Sequence, residues 1–195
     1  IYDFGGFPKE MYEVKYPATG SPEYATEVKT LLKEKATVQE HATMGLDHGA
    51  WTVLKHIYPN ADVPVFQMSI DYYQSPQYHY DLAKYLSALR SKGVMILTSG
   101  NIVHNLGNFS WDENAAIYDW AQEFDTEVKT HIHNNNHSAL VDYTKLKSST
   151  LAVPTNDHYL PLLYALAQRD SFETVKHIYE GFQNGSVSMR CVQVG

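Results

Sequence analysis

The sequence contains a single cysteine, Cys191, among its 195 residues. One cysteine cannot form an intrachain disulfide, so the sequence favours a reducing, cytoplasmic environment. The residues around Cys191 alternate in a strand-like pattern. This pattern predicts a small core residue rather than a catalytic thiol.

Clusters of basic residues and long apolar runs are also lacking. The formal net charge is −7, with 15 Lys and Arg against 22 Asp and Glu. We therefore expect no nucleic-acid partner and no anionic membrane surface, because both are bound through positive charge. The longest apolar runs are far shorter than the roughly 20 residues that cross a bilayer, so no membrane segment is expected either.

Histidine and tyrosine, by contrast, are abundant, with 10 and 15 residues respectively. Both suit a pocket that binds a metal ion or an aromatic ligand, although tyrosine also serves as amphipathic packing. The hydrophobic content is 44%, which is ordinary for a globular protein. A chain of this length can bury one substantial core, so we predict a single domain over residues 1–195.

The stretch Val94–Leu106, VMILTSGNIVHNL, organises the predicted fold. An apolar run that ends in the turn residues Ser99, Gly100 and Asn101 predicts a strand buried on both faces. Ligands of open α/β sheets bind beyond the carboxyl ends of such strands, which is where His104 follows. A core histidine that bonds a backbone carbonyl would give the same pattern.

Capped helices alternate with apolar runs along the rest of the chain. A strand, a capped helix and another strand in succession predict parallel pairing with a right-handed crossover. The Asn184-Gly185 pair between two strand-like runs predicts a hairpin. We therefore predict an α/β fold with a central, mostly parallel sheet, helices on both of its faces and a C-terminal β-hairpin. Helices are predicted at 21–35, 49–58, 75–93, 116–130 and after 158, and strands at 63–70 and 94–98.

Three histidines share one sequence context. His48, His104 and His158 each lie at a junction between a loop and a regular element, beside Gly, Asn or Asp. Binding and catalytic groups concentrate on loops that a rigid scaffold presents. The pattern alone indicates a histidine-lined pocket, with or without a metal ion.

Seven segments of the chain resemble the class III extradiol ring-cleavage dioxygenases, and within them the 4,5-DOPA dioxygenase subfamily, which is related to the protocatechuate 4,5-dioxygenase β subunit. The matching segments occur in the same order from the start of the chain to its end: IYDFGGFP, PATGSPE, GLDHGAW, YPNADVPVFQMSID, SGNIVHNL, VPTNDHYLPLLYALA and SVSMRCVQVG. The fold that this resemblance implies is the one predicted above.

The resemblance implies a role for each of the three histidines. His158, in DHYLPLL, matches a metal ligand of the subfamily. His104, in SGNIVHNL, matches a histidine that acts either as general acid and base or as an additional metal ligand. His48, in GLDHGAW, matches a histidine that hydrogen-bonds the substrate or oxygen. Tyr72 and Tyr73 are candidates for the wall of an aromatic substrate site.

The implied reaction is extradiol opening of a catechol ring, such as that of DOPA, by O2 at a non-haem metal. Fe(II) is the expected cofactor, because it can chelate both catechol oxygens and keep a position open for O2. Zn(II) can occupy the same ligands in the isolated protein. Two alternatives therefore stay open, a non-catalytic zinc protein and a zinc hydrolase. The oligomeric state is also open, a homo-oligomer included.

Two further metal histidines of the family, in an HGSP-type turn and a SAHW-type strand end, have no counterpart in this sequence. We expect them to precede Ile1 in the whole protein, together with the first strands of the sheet. A sheet without its first strands would expose a long hydrophobic edge.

Overall fold

The computed structural model describes all 195 residues, which form eight α-helices, three short 3₁₀ helices and four β-strands. The residues are organised in two compact units, Ile1–Ser69 and Ile70–Gly195. No helix combines the length and the apolar composition that crossing a membrane would require.

The first unit contains a 3₁₀ helix at Lys9–Glu13 and two α-helices, α1 at Pro22–Leu32 and α2 at His48–Ile57. Helix α1 starts with Pro22, whose missing N–H costs nothing in a first turn. Helix α2 begins one residue before its predicted start, because Asp47 caps it. The Asp47 carboxylate accepts the Ala50 N–H at 2.8 Å.

The second unit contains the other six α-helices and most of the buried residues. Along α5, which spans Asp119–His133, Phe124, Val128 and Ile132 recur every four residues and are fully buried, as the helical period predicts. The helix predicted from Ser75 onward is divided into α3 and α4. The helices are α3 at Pro76–Lys84, α4 at Ser87–Arg90, α5 at Asp119–His133, α6 at His137–Val141, α7 at Ser149–Ala152 and α8 at Leu160–Leu166, with 3₁₀ helices at Leu106–Asn108 and Tyr143–Lys145.

Four short strands follow the last helix: β1 at Val175–Tyr179, β2 at Phe182–Gln183, β3 at Val187–Ser188 and β4 at Cys191–Val194. Strand β1 pairs with β4 and β2 pairs with β3, both antiparallel. The turn between β2 and β3 has positive φ at Asn184 (56°) and Gly185 (72°). Such angles suit the right-handed twist of a hairpin, so the predicted C-terminal β-hairpin is confirmed.

Cys191 lies on a strand as predicted, but it is exposed rather than part of the core. The side chains of β4 alternate between exposed and half-buried positions, and Cys191 falls on the exposed face. An alternating pattern identifies a strand more readily than it identifies which face is buried.

The central, mostly parallel sheet with helices on both faces is not shown by the structure, whose only sheets are the two antiparallel pairs. The segments predicted as its strands, 63–70 and 94–98, belong to no sheet. Met95 and Leu97 are 57% and 41% exposed, so the second segment is not buried on both faces. An apolar run indicates an extended segment, whereas a ladder also requires neighbouring strands to supply N–H and C=O groups. The structure therefore supports the coarser part of the prediction, a mixed α/β fold.

Candidate active site

The segment that carries His104 is fixed to its neighbours through the backbone. The His104 N–H donates to the carbonyl of Ala152 at 2.9 Å. His104 also forms an isolated antiparallel bridge with Val187 of β3. The following residue, Asn105, is buried and its amide donates to the carbonyl of Leu151 at 2.8 Å. His104 is therefore held on a fixed backbone between β3 and α7.

His158 lies just before α8, in the loop that was predicted to lead into a helix. Its carbonyl accepts the N–H of Asn101 at 2.9 Å, which joins this loop to the segment of His104. The contact requires a glycine at position 100, because a Cβ there would lie 2.3 Å from the carbonyl oxygen of His158. The turn at Gly100 was predicted from the sequence, but its contact with His158 was not.

The structure brings two of the three predicted histidines into direct contact. The rings of His104 and His158 stack with their centroids 3.6 Å apart and their planes 11° from parallel. Burial first, and then the neighbouring His158, lower the pKa of His104 to about 4, against a smaller opposing effect of Asp157. His104 is therefore neutral at pH 7, with a ring nitrogen available to accept a proton or bind a metal.

His48 belongs to the first unit, at the first position of α2. Its backbone N–H donates to Oδ1 of Asp3 at 2.9 Å, and its Nδ1 lies 3.0 Å from the same oxygen. The ring of Phe4 approaches edge-on, with centroids 5.5 Å apart. Burial raises the pKa of Asp3, but the hydrogen bonds from His48 outweigh it and leave that pKa below its ordinary value. Asp3 thus orients His48.

Asp3 was not among the site residues predicted from the sequence. No local pattern joins an aspartate near the start of the chain to a histidine at a helix start. The signal that could have found it is chemical: a neutral imidazole at a working site is commonly oriented by a carboxylate or a carbonyl.

Tyr72 and Tyr73 lie in the second unit, immediately before α3. Their rings meet edge-on with centroids 5.5 Å apart, and 45% of Tyr72 and 93% of Tyr73 is exposed. The fully buried His79 anchors the start of this loop: its Nε2 bonds the carbonyl of Asp71 at 3.1 Å and its Nδ1 bonds the hydroxyl of Tyr164 at 2.9 Å. The two tyrosines are accessible on an anchored loop.

The residues described here can supply part of a metal site. No group of three or more His, Cys, Asp or Glu side chains is arranged to hold a metal ion. The stacked pair supplies two imidazoles, and neutral imidazole is the form that ligates Fe(II) or Zn(II). His104 and His158 are therefore candidate ligands, and the stacked pair alone does not form a metal site.

Comparison with known proteins shows which family the chain belongs to. A family model described as "Catalytic LigB subunit of aromatic ring-opening dioxygenase" matches residues 1–190. The chain is 40% identical over 198 residues to a 4,5-DOPA dioxygenase extradiol of Escherichia coli K12, covering 100% of this chain and 73% of that enzyme. It is 35% identical over 191 residues to a protein of the same name from Beta vulgaris, covering 96% and 71%.

A solved structure is similar over nearly the whole chain. The crystal structure of an uncharacterised protein from Escherichia coli K12 matches with a TM-score of 0.87 and 39% identity, covering 95% of this chain and 77% of that one. The family match spans almost every residue, including all three histidine motifs. The chain belongs to the LigB family of aromatic ring-opening dioxygenases, whose extradiol members depend on a non-haem metal.

Proposed function

We propose that this protein opens the ring of a catechol with O2 by extradiol cleavage, and that the catechol resembles DOPA. The observation that carries the proposal is the stacked pair of His104 and His158, with ring centroids 3.6 Å apart. The names of the relatives support the substrate class. Residues 1–195 are proposed to belong to one catalytic domain, because the family model matches residues 1–190.

The proposed cofactor is Fe(II), with His158 as a ligand and His104 beside it. When bound, Fe(II) would stabilise negative charge on the catechol oxygens and would supply the redox chemistry that O2 requires. Zn(II) would bind the same imidazoles without that redox chemistry, so zinc in the isolated protein would give an inactive form.

His104 is proposed as the base that removes a catechol proton and later returns it. Its ring is neutral at pH 7, since burial and His158 disfavour the imidazolium form. A proton that His104 accepts would therefore be passed on readily. If His104 instead binds the metal as an additional ligand, replacing it would remove metal as well as activity.

His48 is proposed to donate a hydrogen bond to the substrate or to oxygen as negative charge develops there. Nδ1 of His48 lies beside the carboxylate of Asp3, so Nε2 is the ring nitrogen left to donate, and it donates only when it carries a proton. Tyr72 and Tyr73 are proposed as a wall for the aromatic ring, because both are accessible on a loop that His79 anchors.

In the overall reaction one ring carbon–carbon bond, adjacent to a hydroxylated carbon, breaks. Both atoms of O2 enter the product, which is a semialdehyde carboxylic acid. The four electrons that reduce O2 come from the catechol, so no external reductant is consumed. The protein handles only the proton balance, which is the task assigned to His104.

The test combines oxygen uptake with product mass. The full-length protein, loaded with Fe(II) under argon, is mixed with DOPA and ¹⁸O2. The proposal predicts stoichiometric uptake and a product heavier than DOPA by both labelled oxygen atoms. A zinc hydrolase or a non-catalytic zinc protein would show no uptake, and that result would contradict the proposal. The matched control is His133→Ala, which removes an exposed histidine of α5 and should leave uptake unchanged.

A further inference from the structure

A buried ion pair joins the middle of helix α5 to the strand region that follows it. Arg190 donates from Nε to Oδ1 of Asp125 at 3.0 Å and from Nη2 to Oδ2. The side chains of Arg190 and Asp125 are only 4% and 2% exposed. Burying two charges is costly, and such pairs are often replaceable by apolar residues without loss of stability. A buried pair of this kind can instead serve to specify one arrangement of the elements that it joins.

Ser188 transmits the position of this ion pair to the backbone. Its hydroxyl donates to Oδ1 of Asp125 at 2.7 Å, and its N–H donates to the carbonyl of Val103 at 3.0 Å. Its carbonyl accepts the side-chain amide of Asn101 at 2.8 Å. Ser188 is 1% exposed, so no water competes for these bonds. One residue of β3 is thus bonded to Asp125 on one side and to the segment of His104 on the other.

The contact between β3 and the segment of His104 extends to His104 itself and to the residue after it. Val187 forms the antiparallel bridge with His104, and the hydroxyl of Ser186 donates to the carbonyl of Asn105 at 2.9 Å. A slip of one residue between paired strands turns every side chain to the opposite face. The register of β3 is therefore one of the contacts that set which way the side chain of His104 faces.

We propose that Asp125 and Arg190 are positioning residues for His104, and that they act through Ser188 by fixing the register of β3. The remaining donor of Arg190, Nη1, is satisfied by Glu180 at 2.9 Å and by Nδ1 of His177 at 3.1 Å. Because these partners satisfy the donors of Arg190, its guanidinium group is held in a fixed position beside Asp125. The consequence for catalysis rests on the role proposed for His104, whereas the effect on its position does not.

The test uses histidine-labelled, metal-free protein and follows the ring protons of His104 by NMR. Stacking on His158 displaces these signals through the ring current of its neighbour. In Ser188→Ala and Asp125→Asn the His104 signals should lose this displacement or broaden. In the Fe(II)-loaded protein kcat should fall about 10- to 100-fold with little change in KM, because a displaced base affects the chemical step more than binding.

The matched control is Glu173→Gln, which breaks another Arg–carboxylate pair of the same unit. Arg90 holds Glu173 through both guanidinium nitrogens, and neither residue bonds β3 or residues 101–105. This variant should lose stability while the His104 signals and kcat remain as in the wild type. If Asp125→Asn fails to fold, Ser188→Ala still decides, since it removes only one oxygen atom.

Unchanged His104 signals and unchanged kcat in Ser188→Ala would overturn the positioning role. If the His104 signals change in Ser188→Ala but the wild-type protein consumes no O2 with any catechol, the positioning role would be supported and the proposed activity rejected. Equal signal changes in Glu173→Gln and Ser188→Ala would also overturn the proposal, because they would reduce it to general stability.

Discussion

His104 and His158 stack face to face, with ring centroids 3.6 Å apart, although they come from segments that are distant in the sequence. Two backbone features bring them together: the hydrogen bond from the N–H of Asn101 to the carbonyl of His158, and the absence of a side chain at Gly100. The backbone therefore brings the two residues within reach of each other, and their side-chain rotamers complete the stack.

Replacing His104 by alanine should abolish turnover and leave the metal bound. Removing a general base typically costs 10²- to 10⁴-fold in rate, so kcat should fall at least about 100-fold. The measurement is oxygen uptake with DOPA alongside metal content per chain. Loss of the metal together with activity would instead make His104 a ligand, and full activity would remove it from the site.

Replacing Gly100 by alanine should disturb both histidines without removing either side chain. The new Cβ would lie 2.3 Å from the carbonyl oxygen of His158, a distance that forces the backbone to move. A displacement of about 1 Å near reacting groups can cost on the order of 100-fold in rate. Gly20→Ala is the control, because nothing lies within 4 Å of its Cβ. Steady-state kinetics showing equal losses in both variants would contradict this interpretation.

Replacing Asp3 by alanine should weaken the contribution of His48. The carboxylate lies 3.0 Å from Nδ1 of His48 and accepts its backbone N–H. Losing one such hydrogen bond is worth about 1 kcal/mol, so kcat/KM should fall roughly fivefold. Asp3→Asn keeps an acceptor and should lose less, while Glu10→Ala, on an exposed turn, should lose nothing. A larger loss in Asp3→Asn than in Asp3→Ala would count against an orienting role.

The ion pair of Arg90 and Glu173 should make stability depend on pH in acid. Hydrogen bonds from Arg90 and from the backbone of Asp170 hold the pKa of Glu173 at about 2, below its ordinary value of 4.5. The folded pKa is the lower one, so the pair stabilises the fold fully above pH 4.5 and loses its effect as pH falls towards 2.

Urea unfolding of Glu173→Gln across this range measures the effect. The difference from the wild type should be about 1–2 kcal/mol at pH 7 and should shrink as pH approaches 2. Asp142→Asn, which breaks the exposed pair with Lys145, should change stability by less than about 0.5 kcal/mol at any pH. A difference for Glu173→Gln that does not vary with pH would refute the assignment.

The features that sequence predicts here are those governed by residues close in the chain. The cap of α3, the four-residue repeat along α5 and the Asn184-Gly185 turn depend on neighbours, and all three were found. The family was also identified from short motifs. Each of these signals is local and can be recognised without knowing how the chain packs.

The features that sequence missed depend on contacts between distant residues. Nothing near Asp3 indicates that it faces His48, and nothing near Ser188 indicates that it joins Asp125 to the segment of His104. The central sheet was inferred from apolar runs, but strand pairing is decided by partners elsewhere in the chain. The stacking of two histidines at 3.6 Å is likewise a property of the fold alone.

The most direct test of the central claim is the metal content and ring-opening rate of His158→Ala, purified without oxygen and offered Fe(II). The account predicts that this variant binds far less Fe(II) than the wild type and forms no ring-opened product from DOPA. His133→Ala, measured in parallel, should retain both. A His158→Ala protein that binds Fe(II) normally and turns over at the wild-type rate would contradict the assignment of the stacked pair as the reaction centre.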